Sequence, residues 1–238
     1  MKIHVLKSYD EISEFAADLI QETITQKPDA VLGLATGSTP IGTYKSLIKR
    51  NLDFSKVTTY NLDEYIGLAH ANPQSYHFYM KDLFFDHINI DQKNTHLPDG
   101  MAENPTTEAA EFDAKVTAIG GVDVQILGIG ENAHIGFNEP ADHFKIFTHV
   151  ADLTESTISA NAVHFDKAED VPTQAISMGI GTIMKAKKII LIANGPKKAQ
   201  AIKGLLNGDV NPEVQASILN FHPDVTILLD EDSASLVQ

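Results

Sequence analysis

Short apolar runs alternate with helical patterns along most of the chain. The run "AVLGLA" at 30–35 is apolar almost throughout, as in a strand buried on both faces. "MKIHVL", "KVTTYNL", "VDVQIL", "KIILIAN" and "VTILLD" read as further strands. Ser8 and Glu11 form a capping-box pattern, and Ile12, Phe15, Ala16, Leu19 and Ile20 then follow helical spacing. A second helix is expected over 41–50, with Thr39 at its N-cap and Pro40 at its first position. Helical patterns also cover 74–85, "EAAEFDAKVTAIG", which stops at Gly120 and Gly121, "AISMGIGTIMKA" and "PKKAQAIKGLLNG". The pattern over 154–161 is helical but weak, "HFDKAEDVP" is polar and loop-like, and "DEYIG" reads as the close of the strand before it.

Strands that alternate with helices predict an α/β fold: a three-layer, Rossmann-like, mostly parallel sheet with helices on both faces. No repeat, low-complexity tract or linker interrupts it, so one α/β domain over 1–238 is expected. In such sheets ligands bind beyond the carboxyl ends of the strands. Three strands end in polar turns, "TGST", "NLDEY" and "GENAHIGFNE", which this architecture brings to one edge.

Composition narrows the function classes. The longest apolar runs are too short to span a bilayer, and no signal-peptide pattern opens the chain. There is no cysteine, which excludes disulfides and zinc-thiolate sites. The expectation is a cytoplasmic protein. A net charge of −14 repels nucleic acid and anionic membranes, so neither is an expected partner. An anionic ligand must then be held by local devices: helix N-termini, backbone N–H groups and a few lysines. Arg50 is the only arginine.

Each polar turn has a chemical and a plain reading. In "ATGSTP", Gly37, Ser38 and Thr39 make an anion cradle at a helix start, or Thr39 merely caps the helix. The turn is not a P-loop, because the Lys-Ser/Thr is missing. Asp63 and Glu64 follow a strand, where one carboxylate can serve as a general base if burial raises its pKa. The alternative is a solvated or helix-capping pair. In the 128–140 turn His134 can take and return a proton near neutrality, with Glu139 to orient it. The match of "GIGENAH" to a dinucleotide fingerprint is rejected, since Pro140 arrives early and the turn lies mid-chain. His134, Glu139 and Asp63 make a weak candidate metal set without the usual ligand spacing. His70, His77, His87 and His96 read as surface residues. Lys197 and Lys198 sit at a helix start, where a lysine opposes the helix dipole and invites a bound anion.

Taken together, "GLATGSTP", "NLDEYIGL", "SYHFYM", "GIGENAHIGFNEP", "EDVPTQAISMGIGTI" and "GPKKAQAI" resemble the glucosamine-6-phosphate deaminase (isomerase) family, short bacterial form, over nearly the whole chain. The resemblance implies conversion of glucosamine 6-phosphate and water to fructose 6-phosphate and ammonia, without cofactor or metal. It implies that Asp63 takes the C2 proton, and that His134 moves protons during ring opening. Glu139 and Asn132 would hold that histidine. Gly37, Ser38, Thr39 and Lys198 would bind the phosphate. A monomer or small homo-oligomer and a mobile lid at 149–174 are expected. The chain departs from the family at "ANAVHF", where Val163 stands in place of a phosphate-gripping arginine. His164 or Lys167 cannot supply the same bidentate fork. The segment "ADHFKIF" lacks the family's effector-site pattern, so activation by the N-acetylated sugar phosphate is not expected. Two other readings stay open: a galactosamine-6-phosphate deaminase, and a non-catalytic sugar-phosphate sensor on the same fold.

Overall fold

The computed structural model describes residues 1–155, 157–158, 165 and 171–237. The elements run β1 (Lys2–Leu6), α1 (Tyr9–Gln26), β2 (Val31–Leu34), α2 (Ile41–Lys49), β3 (Thr58–Asn61), β4 (Asp63–Tyr65), α3 (Tyr76–Leu83) and β5 (Thr95–His96). They continue with α4 (Pro105–Ala118), β6 (Val124–Leu127), β7 (His149–Asp152), β8 (Gln174–Ser177) and α5 (Ile180–Ile183). β9 (Lys188–Ala193), α6 (Ala199–Leu206) and β10 (Val225–Asp230) complete the chain.

Seven strands form one sheet in the order β1-β10-β9-β6-β2-β3-β5, and every pairing in it is parallel. Parallel strands need crossovers, and the helices flanking the sheet supply them. Strands buried on both faces are largely apolar, as β6 and β9 are apart from the buried Gln125 and the leading Lys188. One cluster built on such residues as Leu32, Ile126, Ile190 and Leu228 forms the main core. From β2 the chain steps outward through β3 to β5; from β6 it steps the other way through β9 to β10. The direction reverses between β2 and β6, and a crevice opens at such a point beyond the strands' carboxyl ends.

A second sheet, β4-β8-β7, is antiparallel and departs from the expected run of alternating strands and helices. "DEY" is not a closing turn but strand β4, with Asp63 opposite Ser177. "AISMGIGTIMKA" is not a helix throughout: its first residues belong to β8, and only Ile180–Ile183 is helical. Long-range pairing outweighed the local pattern in both places. Tyr65, Leu68, Phe137, Ala151, Leu153 and Ala175 form a small second core here. The 149–174 stretch begins as β7 and ends in β8. Val163, His164 and Lys167, between them, lie outside the described residues.

Helix α2 also starts differently. Pro40, not Thr39, occupies the cap position, and no side chain caps the helix. Its first-turn N–H groups are therefore not consumed by a Thr39 hydroxyl.

Candidate active site

The loops after β2 and β6 meet at the strand-order reversal, and β4 lies beside them. They enclose a cavity of about 680 Å³, within the range of small-molecule sites. Its wall includes Gly37, Ser38, Thr39, Asp63, Asn132, His134 and Lys198. Glu139 is not part of that wall; it stands behind His134. The eight residues singled out in the sequence thus gather at one place.

Asp63 is buried, at 6% exposure. Burial, and next the negative charge of Glu64, push its carboxyl up to about 8. The two neighbours are treated very differently by the fold. Glu64 accepts hydrogen bonds from the N–H groups of Tyr65, Tyr76 and His77 at 2.8–2.9 Å. Two of these donors open α3, so Glu64 caps a helix, which is the plain reading of half the pair. The Nδ1 of His77 lies 2.8 Å from the same carboxylate, and His77 stacks on His70 at 3.6 Å. His77 is therefore not the surface residue that its polar segment suggested. His96 likewise stacks on the Tyr60 ring.

The 128–140 turn is shaped for one imidazole. At Gly130 an added Cβ would run into the His134 ring, so only glycine lets the ring lie against the backbone there. Ala133, at φ +67°, takes a left-handed conformation uncommon outside glycine. His134 Nδ1 lies 3.2 Å from Glu139 Oε2, close contact without the alignment of a full hydrogen bond. Asn132 donates Nδ2–H to Glu139 at 2.7 Å, and its Oδ1 accepts from the His134 backbone N–H at 3.2 Å. Asn132 therefore holds the carboxylate and the loop, not the ring itself. Burial alone would raise the Glu139 carboxyl. The His134 ring, Asn132 and Thr157 outweigh it and hold the group down at about 2.

Thr157 is a contact that the sequence reading missed. Its hydroxyl donates to Glu139 Oε1 at 2.8 Å, and it borders the cavity. Nothing in the pattern around it marked it beyond weak helical spacing. Tyr76, on the cavity wall and bonded to the Tyr65 hydroxyl at 3.0 Å, was also passed over.

Lys198 closes the short helical turn Pro196–Lys198 after β9. Burial lowers its pKa, Glu131 opposes the shift, and Lys197 adds to it. Arg50 is engaged elsewhere: its guanidinium bonds Glu14 and Asp18 at 2.7 Å, beyond the far end of α2. Among the described residues no group of three or more His, Cys, Asp or Glu side chains is arranged to hold a metal ion. None of the described helices is long and apolar enough to cross a membrane.

The chain is 51% identical to a glucosamine-6-phosphate deaminase of Thermoanaerobacter pseudethanolicus, the match covering 100% of this chain and 95% of that protein. It is 52% identical to one of Clostridioides difficile, covering 99% and 96%. A solved monomeric glucosamine-6-phosphate deaminase superposes with a TM-score of 0.96 at 47% identity, over 99% of this chain and 100% of that one. The 6-phosphogluconolactonase of Trypanosoma brucei shares the fold, with a TM-score of 0.79 at 18% identity over 100% and 98% of the two chains. Residues 7–227 match the model of one family, which spans both activities. The chain belongs to that family, the glucosamine-6-phosphate isomerases/6-phosphogluconolactonase.

Proposed function

We propose that this protein is a glucosamine-6-phosphate deaminase, converting glucosamine 6-phosphate and water to fructose 6-phosphate and ammonia. One observation carries the reading: Asp63 and His134 border the same cavity as the 37–39 loop and Lys198. An acid–base pair therefore faces a device suited to a phosphate. The names of the relatives at about half identity support the same reaction.

The residues divide the chemistry as follows. Lys198 and the 37–39 backbone hold the phosphate. His134 takes the proton of the O1 hydroxyl and returns one to the ring oxygen, which opens the sugar to its aldehyde. Glu139, itself held by Asn132 and Thr157, orients the imidazole. Asp63, ionised, takes the C2 proton; that electron pair forms the C1=C2 bond, the carbonyl pair moves to O1, and O1 gains a proton as the C2 ammonium gives one up, which yields an enolamine. A proton added at C1 leaves a C=N bond at C2. Water adds there, and ammonia departs. Every step uses acid–base groups already on the cavity wall.

A raised Asp63 carboxyl suits an amino-sugar substrate. The ammonium at C2 brings a positive charge beside the carboxyl and favours its ionised form on binding. The core cluster runs from Ile12 to Ala234, which supports treating the chain as one domain. The monomeric relative supports a monomer.

The test is product formation from glucosamine 6-phosphate. Equal amounts of ammonia and fructose 6-phosphate are expected, and absence of either overturns the reading. Galactosamine 6-phosphate in competition separates the C4 epimers. Glucosamine competing as well as its 6-phosphate refutes a phosphate-anchored site.

A further inference from the structure

The carbonyls of the 36–40 loop are taken by two tyrosines from different helices. The Tyr79 hydroxyl of α3 donates to Gly37 O at 2.5 Å. The Tyr9 hydroxyl of α1 lies 2.8 Å from Thr39 O and 3.1 Å from Ser38 O, sharing its single proton between them. Tyr9 Oη in turn accepts the N–H of Gly42 at 2.9 Å. Among the described residues no acceptor takes the N–H of Gly37, Ser38 or Thr39.

We propose that Tyr9 and Tyr79 are positioning residues that set the phosphate cradle by tying back its carbonyls. A trans peptide unit is planar, with its N–H directed opposite to its C=O. Fixing Gly37 O therefore fixes the Ser38 N–H, and the longer of Tyr9's two contacts, to Ser38 O, fixes the Thr39 N–H; Thr39 O precedes Pro40, which has no N–H, so that contact only anchors the loop. Both amides are turned away from the tyrosines, on a loop that borders the cavity. A peptide free to rotate offers an anion either a donor or a repelling carbonyl oxygen. Gly37, at φ +81°, gives the loop the turn that this arrangement needs. Burial, and next the nearby Tyr9, raise the Tyr79 hydroxyl's pKa, so it stays a donor. A preorganised cradle also explains how a chain with Val163 in the arginine's place retains a phosphate site: it relies on aimed backbone amides instead of a guanidinium fork.

The proposal rests on the phosphate reading of this loop, and its test separates the two. Inorganic phosphate is titrated by calorimetry into the wild type, Tyr9→Phe and Tyr79→Phe, with thermal midpoints and deaminase kinetics beside it. Each variant should bind phosphate about fivefold more weakly, the loss of one hydrogen bond. KM for the sugar phosphate should rise in step, with kcat near the wild-type value. Unchanged phosphate affinity in both variants overturns the proposal, as does a fall in kcat without change in KM. A wild type that binds no phosphate overturns it as well. Weakened phosphate binding in a protein that releases no ammonia would leave the clamp standing and remove the deaminase reading.

Discussion

Asp63 and His134 border one cavity, although they are delivered by separate parts of the fold. Asp63 opens a short strand of the antiparallel sheet, and His134 rides on the loop after the parallel strand β6. The seam between the two sheets is thus where an acid–base pair assembles, and the consequences are measurable.

The first concerns pH. A carboxyl pushed up to about 8 is ionised in only about one free enzyme molecule in ten at pH 7. A base must be ionised, so kcat/KM should rise tenfold per pH unit below the bend and level near pH 8. A profile already flat from pH 6 would remove Asp63 as the titrating base.

The second follows from the same shift by linkage. The folded carboxyl binds its proton more tightly than the unfolded one, whose ordinary value is 3.8. Stability contributed by that proton is complete below pH 3.8 and falls as pH rises to 8. Asp63→Asn removes this penalty, so it should stabilise the protein more at pH 9 than at pH 5, by about 2–4 kcal/mol. Urea unfolding at the two pH values reads the difference. Equal effects at both would show that Asp63 ionises as freely in the fold as outside it.

The third concerns the partner of the imidazole. Glu139→Gln keeps the shape but loses the charge beside His134. A charge-assisted contact of this kind is worth about 1.5–3 kcal/mol, so kcat should fall roughly ten- to hundredfold with KM little changed. Glu139 also stabilises the fold above pH 4.5, and that contribution is lost as pH falls toward 2. Steady-state kinetics and acid unfolding of the variant check the two effects separately.

Gly130→Ala offers a steric test. Its Cβ would displace the His134 ring, while the loop's backbone leaves the left-handed region unused at that residue. Activity should drop far more than the melting temperature. A variant with full activity would mean that the ring does not need its present seat.

Much of this was legible in the sequence. Apolar runs marked β2, β6, β9 and β10, the mixed runs "MKIHVL" and "KVTTYNL" marked β1 and β3, and the two-residue β5 left no signal; the three polar turns pointed to one edge of the sheet. The eight expected residues do assemble. The antiparallel sheet was not legible, because its pairings are made between segments remote in the chain, as Asp63 with Ser177. Local spacing in "AISMGIGTIMKA" favoured helix, and pairing with β4 and β7 overrode it. Tyr9, Tyr79 and Thr157 act through single hydroxyl contacts across the fold, and such contacts leave no periodic trace.

Val163 carries a prediction from sequence alone. A guanidinium restored by Val163→Arg should lower KM for the sugar phosphate by roughly ten- to hundredfold, at unchanged kcat. An unaltered KM would mean that the aimed amides and Lys198 already saturate the phosphate.

The central claim is that Asp63 removes the proton from C2. The most direct measurement is loss of deuterium from C2-labelled glucosamine 6-phosphate, followed for wild type and Asp63→Asn. The account predicts a slower reaction of the labelled sugar in the wild type, and no label loss or ammonia from the variant while it still binds inorganic phosphate. Label loss continuing at the wild-type rate in Asp63→Asn would contradict it.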